Sequence, residues 1–269
     1  MTGIPYCDET LNVTAGCTKC SPGCENCWAE KMAHRLKHIC LATNNNPQYL
    51  GKTDKDGHWT GKVECCPWLL DQPRKWKNPR RIFVNSMSDL FHPKVPFEFI
   101  CKVFETIADA SQHTYLIFTK RVEEMKEFFQ SCEDWDASEW PNVQLILSLS
   151  TQAEADKKIP ILLDILAAVR GLSLEPLLED IDLTGFKPWY GTFKENQKDK
   201  GLHWVVVGCE SGSKRRPCKL EWVRSIVNQC QAARVPIYVK QLPINGKVSR
   251  NPKEWPKDLR VQQYPKIRK

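Results

Sequence analysis

Short apolar, β-branched runs alternate along this chain with segments of helical periodicity, and that alternation restricts the fold more than any other feature. Arg81–Met87 (RIFVNSM), Thr114–Thr119 (TYLIFT), Val143–Ser148 (VQLILS), Val169–Leu174 (VRGLSL), Trp204–Gly208 (WVVVG) and Pro236–Lys240 (PIYVK) read as strands buried on both faces. Helical stretches lie between them: Glu25–Ile39, Phe97–Ala110 with Ile100, Val103, Phe104 and Ile107 on one face, Val122–Gln130, Ala153–Ala168 and Lys219–Ala233. Strands that alternate with helices pair in parallel, because a parallel neighbour needs a crossover. With a first strand near Thr10–Thr14, the count reaches about seven units, so the expected class is α/β, a full or partial parallel β/α barrel.

Two segments interrupt the alternation. Residues 42–80 carry NNN, DKDG and several aromatics, and residues 181–201 are polar and aromatic; both are expected to be insertions over a barrel domain spanning 1–242. Residues 243–269, basic and spaced by prolines, are expected to form a C-terminal extension lying extended on the surface. With 41% hydrophobic residues among 269, the chain can bury a sizeable core, which excludes a disordered or fibrous protein. The N-terminus lacks a basic start followed by an apolar run, and no stretch approaches 18 apolar residues, so neither a signal peptide nor a membrane span is expected and the compartment is expected to be cytoplasmic. The 13 cysteines are then expected to be reduced, metal-binding or catalytic. A net charge of +7 favours a polyanionic partner and also serves solubility.

Four of those cysteines, Cys17, Cys20, Cys24 and Cys27, fall within the loop GCTKCSPGCENCW. Thiolates are soft ligands for zinc or iron–sulfur clusters, and Ser21, Pro22 and Gly23 favour a tight loop in which sulfurs converge. Paired zinc knuckles need roughly 12 to 20 residues between them, whereas only Ser21, Pro22 and Gly23 separate Cys20 from Cys24. Nested cysteines in one loop suit an iron–sulfur cluster instead, and Cys20-x3-Cys24-x2-Cys27 has the radical S-adenosylmethionine (SAM) spacing. Unliganded thiols or a redox pair are the alternative.

In a parallel barrel the chemistry gathers where strands end. Polar residues follow each expected strand: Asn85, Ser86, Ser88 and Asp89; Thr119, Lys120 and Arg121; Ser148, Ser150, Thr151 and Gln152; Ser173 and Glu175; Glu210 and Ser211; Lys240 and Gln241. Each taken singly is as readily a helix cap, but their recurrence at every strand end points to a site. Lys120, Arg121, Arg215 and Arg216 would ring the same mouth, as phosphate ligands or as a solvated basic rim.

The runs GCTKCSPGCENCWAEKMAHRL, IFVNSMSDLFH, FTKR, SLEPLL, VVGCESG and VKQL together resemble a phage-associated three-cysteine-motif family, itself similar to the radical SAM superfamily and to spore photoproduct lyase within it. The resemblance covers about Thr2 to Leu242. It implies a [4Fe–4S] cluster on Cys24, Cys27 and either Cys17, where the family's third cysteine falls, or Cys20, which keeps the superfamily spacing. It also implies SAM as cofactor, with Ser86, Ser88 and Asp89 approaching its amino end, Ser148 and Ser150 its ribose or carboxylate, and Lys120, Glu175 and Glu210 further polar groups of the site. The function implied is a radical SAM-type enzyme, served by an electron donor and acting on DNA, RNA or a nucleotide. The competing reading is a non-enzymatic metal- or cluster-containing protein that binds nucleic acid or serves a phage as an accessory.

Overall fold

The computed structural model describes residues 3–132, 137–186 and 201–265. The chain divides into two compact units, Met1–Cys20 with Cys27–Phe128, and Ser21–Asn26 with Phe129–Lys269. Each unit is a parallel sheet with helices, so the fold is mixed α/β with mostly parallel strands, as the alternation of runs required.

The first unit runs β1 (Glu9–Leu11), β2 (Thr14–Ala15), α1 (Trp28–Thr43), β3 (Glu64–Cys65), α2 (Gln72–Lys75), β4 (Arg81–Val84), α3 (Phe97–Asp109), β5 (Thr114–Thr119) and α4 (Val122–Ser131, here up to Phe128). β4 lies between β1 and β5, parallel to both. Its apolar run continues to Met87, but the strand stops at Val84 because Asn85 turns into the left-handed region (φ 57°), its amide bonding to Leu11 O and its Oδ1 accepting from the Thr14 amide. The expected first strand is likewise cut in two. β1 stays in the parallel sheet, while β2 pairs antiparallel with β3 from the 42–80 segment. That segment therefore folds on its own part of the unit: Tyr49 and Cys66 close a core with Ala15, Ala33 and Met87, packed by Met32, Leu36, Trp59 and Leu69. On α3 the expected face, Ile100, Val103, Phe104 and Ile107, is buried.

The second unit runs β6 (Val143–Leu149), α5 (Gln152–Asp164), β7 (Val169–Leu174), β8 (Trp204–Gly208), α6 (Leu220–Ala232), β9 (Ile237–Ile244) and β10 (Lys247–Ser249). β6, β7, β8 and β9 are parallel in that order, and β10 returns antiparallel along β9. Every residue of β6, β7 and β8 is buried, the mark of parallel strands covered on both faces. α5 ends at Asp164, short of the expected Ala168, because Ala167 and Ala168 are taken up in pairing with Ala137. Of the expected 181–201 insertion, residues 187–200 lie outside the described residues; Ile181 and Leu183 are buried, and the Leu183 amide bonds to Gln229 Oε1 at 2.8 Å.

The tail corrects an expectation. It does not lie extended on the surface: Asn245 (φ 48°) and Gly246 (φ 73°) make a tight hairpin into β10, and the following chain doubles back to bond Val239 and Ile237 through Val261 O and the Gln263 amide. Trp255 and Leu259 are buried, with Trp255 Nε1 donating to Ser249 Oγ at 3.1 Å.

Candidate functional site

Each unit presents a buried, polar group at the C-terminal ends of its strands, and each group reaches part of the cysteine loop that belongs to the same unit.

In the first unit the centre is Asp89, just beyond β4. Its Oδ1 accepts from Thr119 Oγ1 at 2.7 Å and the Phe91 amide at 3.1 Å, and its Oδ2 from the Lys120 amide at 3.1 Å and Arg121 Nη1 at 3.1 Å. Arg121 is buried and turned toward the loop: Nη2 donates to Thr18 O at 2.8 Å and Thr18 Oγ1 at 2.9 Å, and Nη1 lies 3.9 Å from Cys17 Sγ. Burial opposes the guanidinium's charge, but Asp89 and the sulfurs of Cys17 and Cys20 outweigh it and hold Arg121 above its usual range. His92 completes the group. Its Nδ1 accepts from the Lys94 amide, so Nε2 carries the proton and donates to Thr18 Oγ1 at 2.9 Å. Burial, helped by the Arg121 cation and opposed by Asp89, pushes His92 down to about 4, so it is neutral at pH 7. The two expected serines bond close by: Ser86 Oγ donates to the side-chain oxygen Asn12 Oδ1 and Ser88 Oγ to the backbone at Thr14 O. Asn85 Nδ2, fully buried, has no hydrogen-bond partner.

The loop's conformation depends on Gly16, which ends β2's approach at φ 89°; a Cβ there would sit 2.0 Å from Lys62 O. Cys17 is half-buried and Cys20 exposed. Cys27 caps the N-terminus of α1, so the helix begins after it and not at Glu25 as expected.

In the second unit, register sets a row of polar residues across adjacent strand ends. Ser148 of β6 is the direct neighbour of Ser173 of β7, and Ser150 and Glu175 lie just past the ends of the two strands. Glu175 Oε1 pairs with Lys240 Nζ of β9 at 2.8 Å, and Ser173 Oγ donates to Glu175 Oε2 at 3.3 Å. Between them β8 contributes Gly208, where a Cβ would meet Glu175 Oε1 at 3.2 Å; the missing side chain is what lets the carboxylate cross to Lys240. Gln241 donates to Cys209 O at 2.7 Å and accepts from Arg250 Nε at 3.0 Å. Burial pushes the Cys209 thiol up to about 11 and Cys218 up to about 12, which makes both poor nucleophiles at neutral pH.

Glu210 forms a separate knot. Its Oε2 accepts from the Arg216 amide at 2.7 Å, Arg216 Nε at 3.2 Å and Asn26 Nδ2 at 3.0 Å, and its Oε1 from Arg216 Nη2 at 2.5 Å. Burial alone would raise this carboxyl, but the bonds from Arg216 and Asn26 prevail and hold it below the usual range. Arg216 also donates to Pro22 O at 2.9 Å and Glu25 Oε2 at 3.0 Å, so it grips the Pro22–Cys24 turn. Under that turn lies Ser150: a Cβ on Gly23 would be 2.3 Å from Ser150 Oγ, a fully buried hydroxyl with no partner.

Three of the four cations expected on a phosphate-binding rim, Arg121, Arg215 and Arg216, are thus engaged with the protein itself. Arg121 and Arg216 each join a buried carboxylate to a loop carbonyl, while Arg215, half-buried, donates to Gly212 O and Gly246 O. Of the four loop thiols, Cys17, Cys20 and Cys27 fall in the first unit and Cys24 in the second. Among the described residues no three His, Cys, Asp or Glu side chains are grouped as a metal-binding set. The donor chemistry nevertheless fits a soft metal or cluster: Arg121 lies beside Cys17, and the Cys24 sulfur helps hold Arg216 above its usual range, so the loop's sulfurs sit in positive fields that favour thiolates. Sequence reasoning missed Thr18, Asn26 and His92, because their roles depend on partners 74 to 184 residues away.

Fold and sites together define an α/β protein whose parallel strands end in buried polar groups beside a thiol-rich loop. The chain belongs to the family described as "Protein of unknown function (DUF5131)", which matches residues 1–265. No curated protein and no solved structure matches it. No helix of the described residues is long and apolar enough to cross a membrane.

Proposed function

We propose that this protein is an iron–sulfur enzyme of the radical SAM type, built on a full or partial β/α barrel and acting on a nucleic acid or nucleotide. The observation that carries the reading is the polar group at the C-terminal ends of the second unit's parallel strands: Ser148 and Ser173 are neighbours in register, Ser173 donates to Glu175, and Ser150, just past β6, keeps a buried hydroxyl without a partner. That is where open α/β sheets and barrels bind ligands. Cys24, Cys27 and one of Cys17 and Cys20 would hold a [4Fe–4S] cluster, which supplies electrons from a donor, and SAM would supply the radical chemistry. The chain's own residues bind and orient. The Glu175 carboxylate, held by Lys240 and Ser173, is placed to accept hydrogen bonds from a ligand's hydroxyl or ammonium groups, and the unpartnered Ser150 hydroxyl offers a donor under the loop. Asp89 and Glu210 act one step back, since their oxygens are committed to Arg121 and Arg216. Ser86, Ser88 and Lys120, in the first unit, are the further polar residues that the family resemblance assigns to SAM. The nucleic-acid part rests on the net charge of +7 and on Lys120 and Arg215. A cluster of this kind suits a reducing, cytoplasmic compartment.

Calorimetry of SAM against anaerobically reconstituted protein tests the reading. SAM binding that Glu175→Gln and Ser150→Ala weaken at least about tenfold, a loss of 1.4 kcal/mol, is the expected result. Absence of binding to cluster-loaded protein contradicts the enzyme and favours a cluster-bearing accessory protein.

A further inference from the structure

Away from the strand ends, α1 carries His34 and His38, four residues apart and so on one face of the helix. Their Nε2 atoms lie 3.2 Å from each other, with the rings nearly perpendicular at 79°. As the pair stands, one Nε2–H donates to the other Nε2. Two imidazole nitrogens on one tetrahedral zinc stand about 3.3 Å apart, from the Zn–N length and the tetrahedral angle. A metal ion can therefore take the place of that hydrogen with the nitrogens almost where they are, the rings only turning their lone pairs onto it. His34 is also supported from behind. Its Nδ1 bonds to Thr53 Oγ1 at 3.2 Å, and Thr53 is buried, bridged to Trp59 and tied to the helix by Lys37 Nζ, which donates to Thr53 O at 3.0 Å. Gly57 leaves room for the ring, since a Cβ there would already touch His34 Cγ at 3.4 Å. His38 is exposed, which opens the pair to an ion from solvent.

We propose that His34 and His38 form a two-histidine chelate for a divalent transition-metal ion of the zinc, nickel or copper kind, with water in the remaining positions. Neutral imidazole suits these ions, and two histidines at i and i+4 of a helix present their nitrogens to one metal. Thr53 is the outer partner: by accepting from His34 Nδ1–H it fixes the tautomer that leaves the Nε2 lone pair for the metal. The neighbouring cation, Lys37, is directed to Thr53 O and Asp54 O. An ion held this way joins successive turns of α1 and stabilises the folded helix by mass action. The site uses no thiolate and is independent of the cluster reading.

The test is a zinc titration of the full chain with its thiols reduced, in wild type, His38→Gln and Thr53→Val, each checked for folding by circular dichroism. Calorimetry and nitrogen NMR of the histidine side chains are read. The 13 cysteines also take zinc, so the informative quantities are the difference between variants and the imidazole resonances, which zinc on a thiol leaves in place. Wild type is expected to bind one more zinc per chain than His38→Gln, at micromolar zinc, with the Nε2 resonances of His34 and His38 moving together while His34 Nδ1 stays protonated. Thr53→Val is expected to weaken that site about tenfold. Equal uptake by wild type and His38→Gln, Nε2 resonances that do not move, or occupancy only at millimolar zinc overturns the proposal. Wild-type affinity in Thr53→Val overturns the part given to Thr53. Should the valine variant fail to fold, His38→Gln, a change at an exposed side chain, decides the matter alone.

Discussion

Removing the Arg216 guanidinium should cost more than neutralising its partner Glu210, although both changes break the same ion pair. Glu210's side chain is 5% exposed and Arg216's is 25% exposed. Arg216→Met deletes the Nε and Nη2 donors and leaves a buried carboxylate with only the backbone amide of residue 216 and Asn26 Nδ2. Stranding a buried charge costs about 3–5 kcal/mol, and partial solvation of this pair puts the expected loss near the lower end, about 3 kcal/mol. Glu210→Gln leaves the cation with Glu25, Pro22 O and water, so its expected loss is about 1–2 kcal/mol. Urea unfolding followed by tryptophan fluorescence and far-ultraviolet dichroism measures both. Acid supplies an independent check. A carboxyl held below its usual range contributes stability above the unfolded value of about 4.3, and loses it as pH falls through the lower folded value. The gap between wild type and Glu210→Gln should therefore be full at pH 7 and close only below about pH 4. Equal losses within about 0.5 kcal/mol, or a gap that closes near pH 6, would refute the reasoning.

Other outcomes are expected. His92 should titrate near 4 by NMR; because the unfolded chain takes up that proton near 6.5, stability should fall between those values as pH drops, by on the order of 3 kcal/mol, and His92→Gln should flatten that stretch. Gly16→Ala, which forces a Cβ against Lys62 O at positive φ, should destabilise by at least about 2 kcal/mol in thermal unfolding. Nucleic-acid binding, measured by anisotropy, should weaken with salt, and Lys120→Gln with Arg215→Gln should lower the slope of log K against log salt by about 2; a salt-independent affinity would point away from a polyanionic substrate.

The elements that were legible in the sequence are those whose period is enforced by burial. Thr114–Thr119, Val169–Leu174 and Trp204–Gly208 form strands with the expected ends, because runs buried on both faces admit little else. What escaped depended on partners distant in sequence or on turn chemistry. Nothing local marks Glu64–Cys65 as the strand that peels Thr14–Ala15 away from the parallel sheet. The Asn245–Gly246 pair is a strong hairpin signal that the prolines around it obscured, and with it went the packed tail of Trp255 and Leu259. Strand-end position put Ser148, Ser173, Glu175, Asp89 and Arg121 where the parallel strands end, but their charge made Arg121 and Arg216 candidates for a phosphate rim. Each instead faces a carboxylate, Asp89 or Glu210, which no spacing reveals.

The central claim is the cluster, and iron and acid-labile sulfide analysis of protein purified without oxygen, with its absorbance spectrum, tests it most directly. The account predicts a brown protein with close to one four-iron cluster per chain, about four irons and four sulfides, lost in Cys24→Ala and Cys27→Ala. Stoichiometric zinc without iron in that preparation would contradict it.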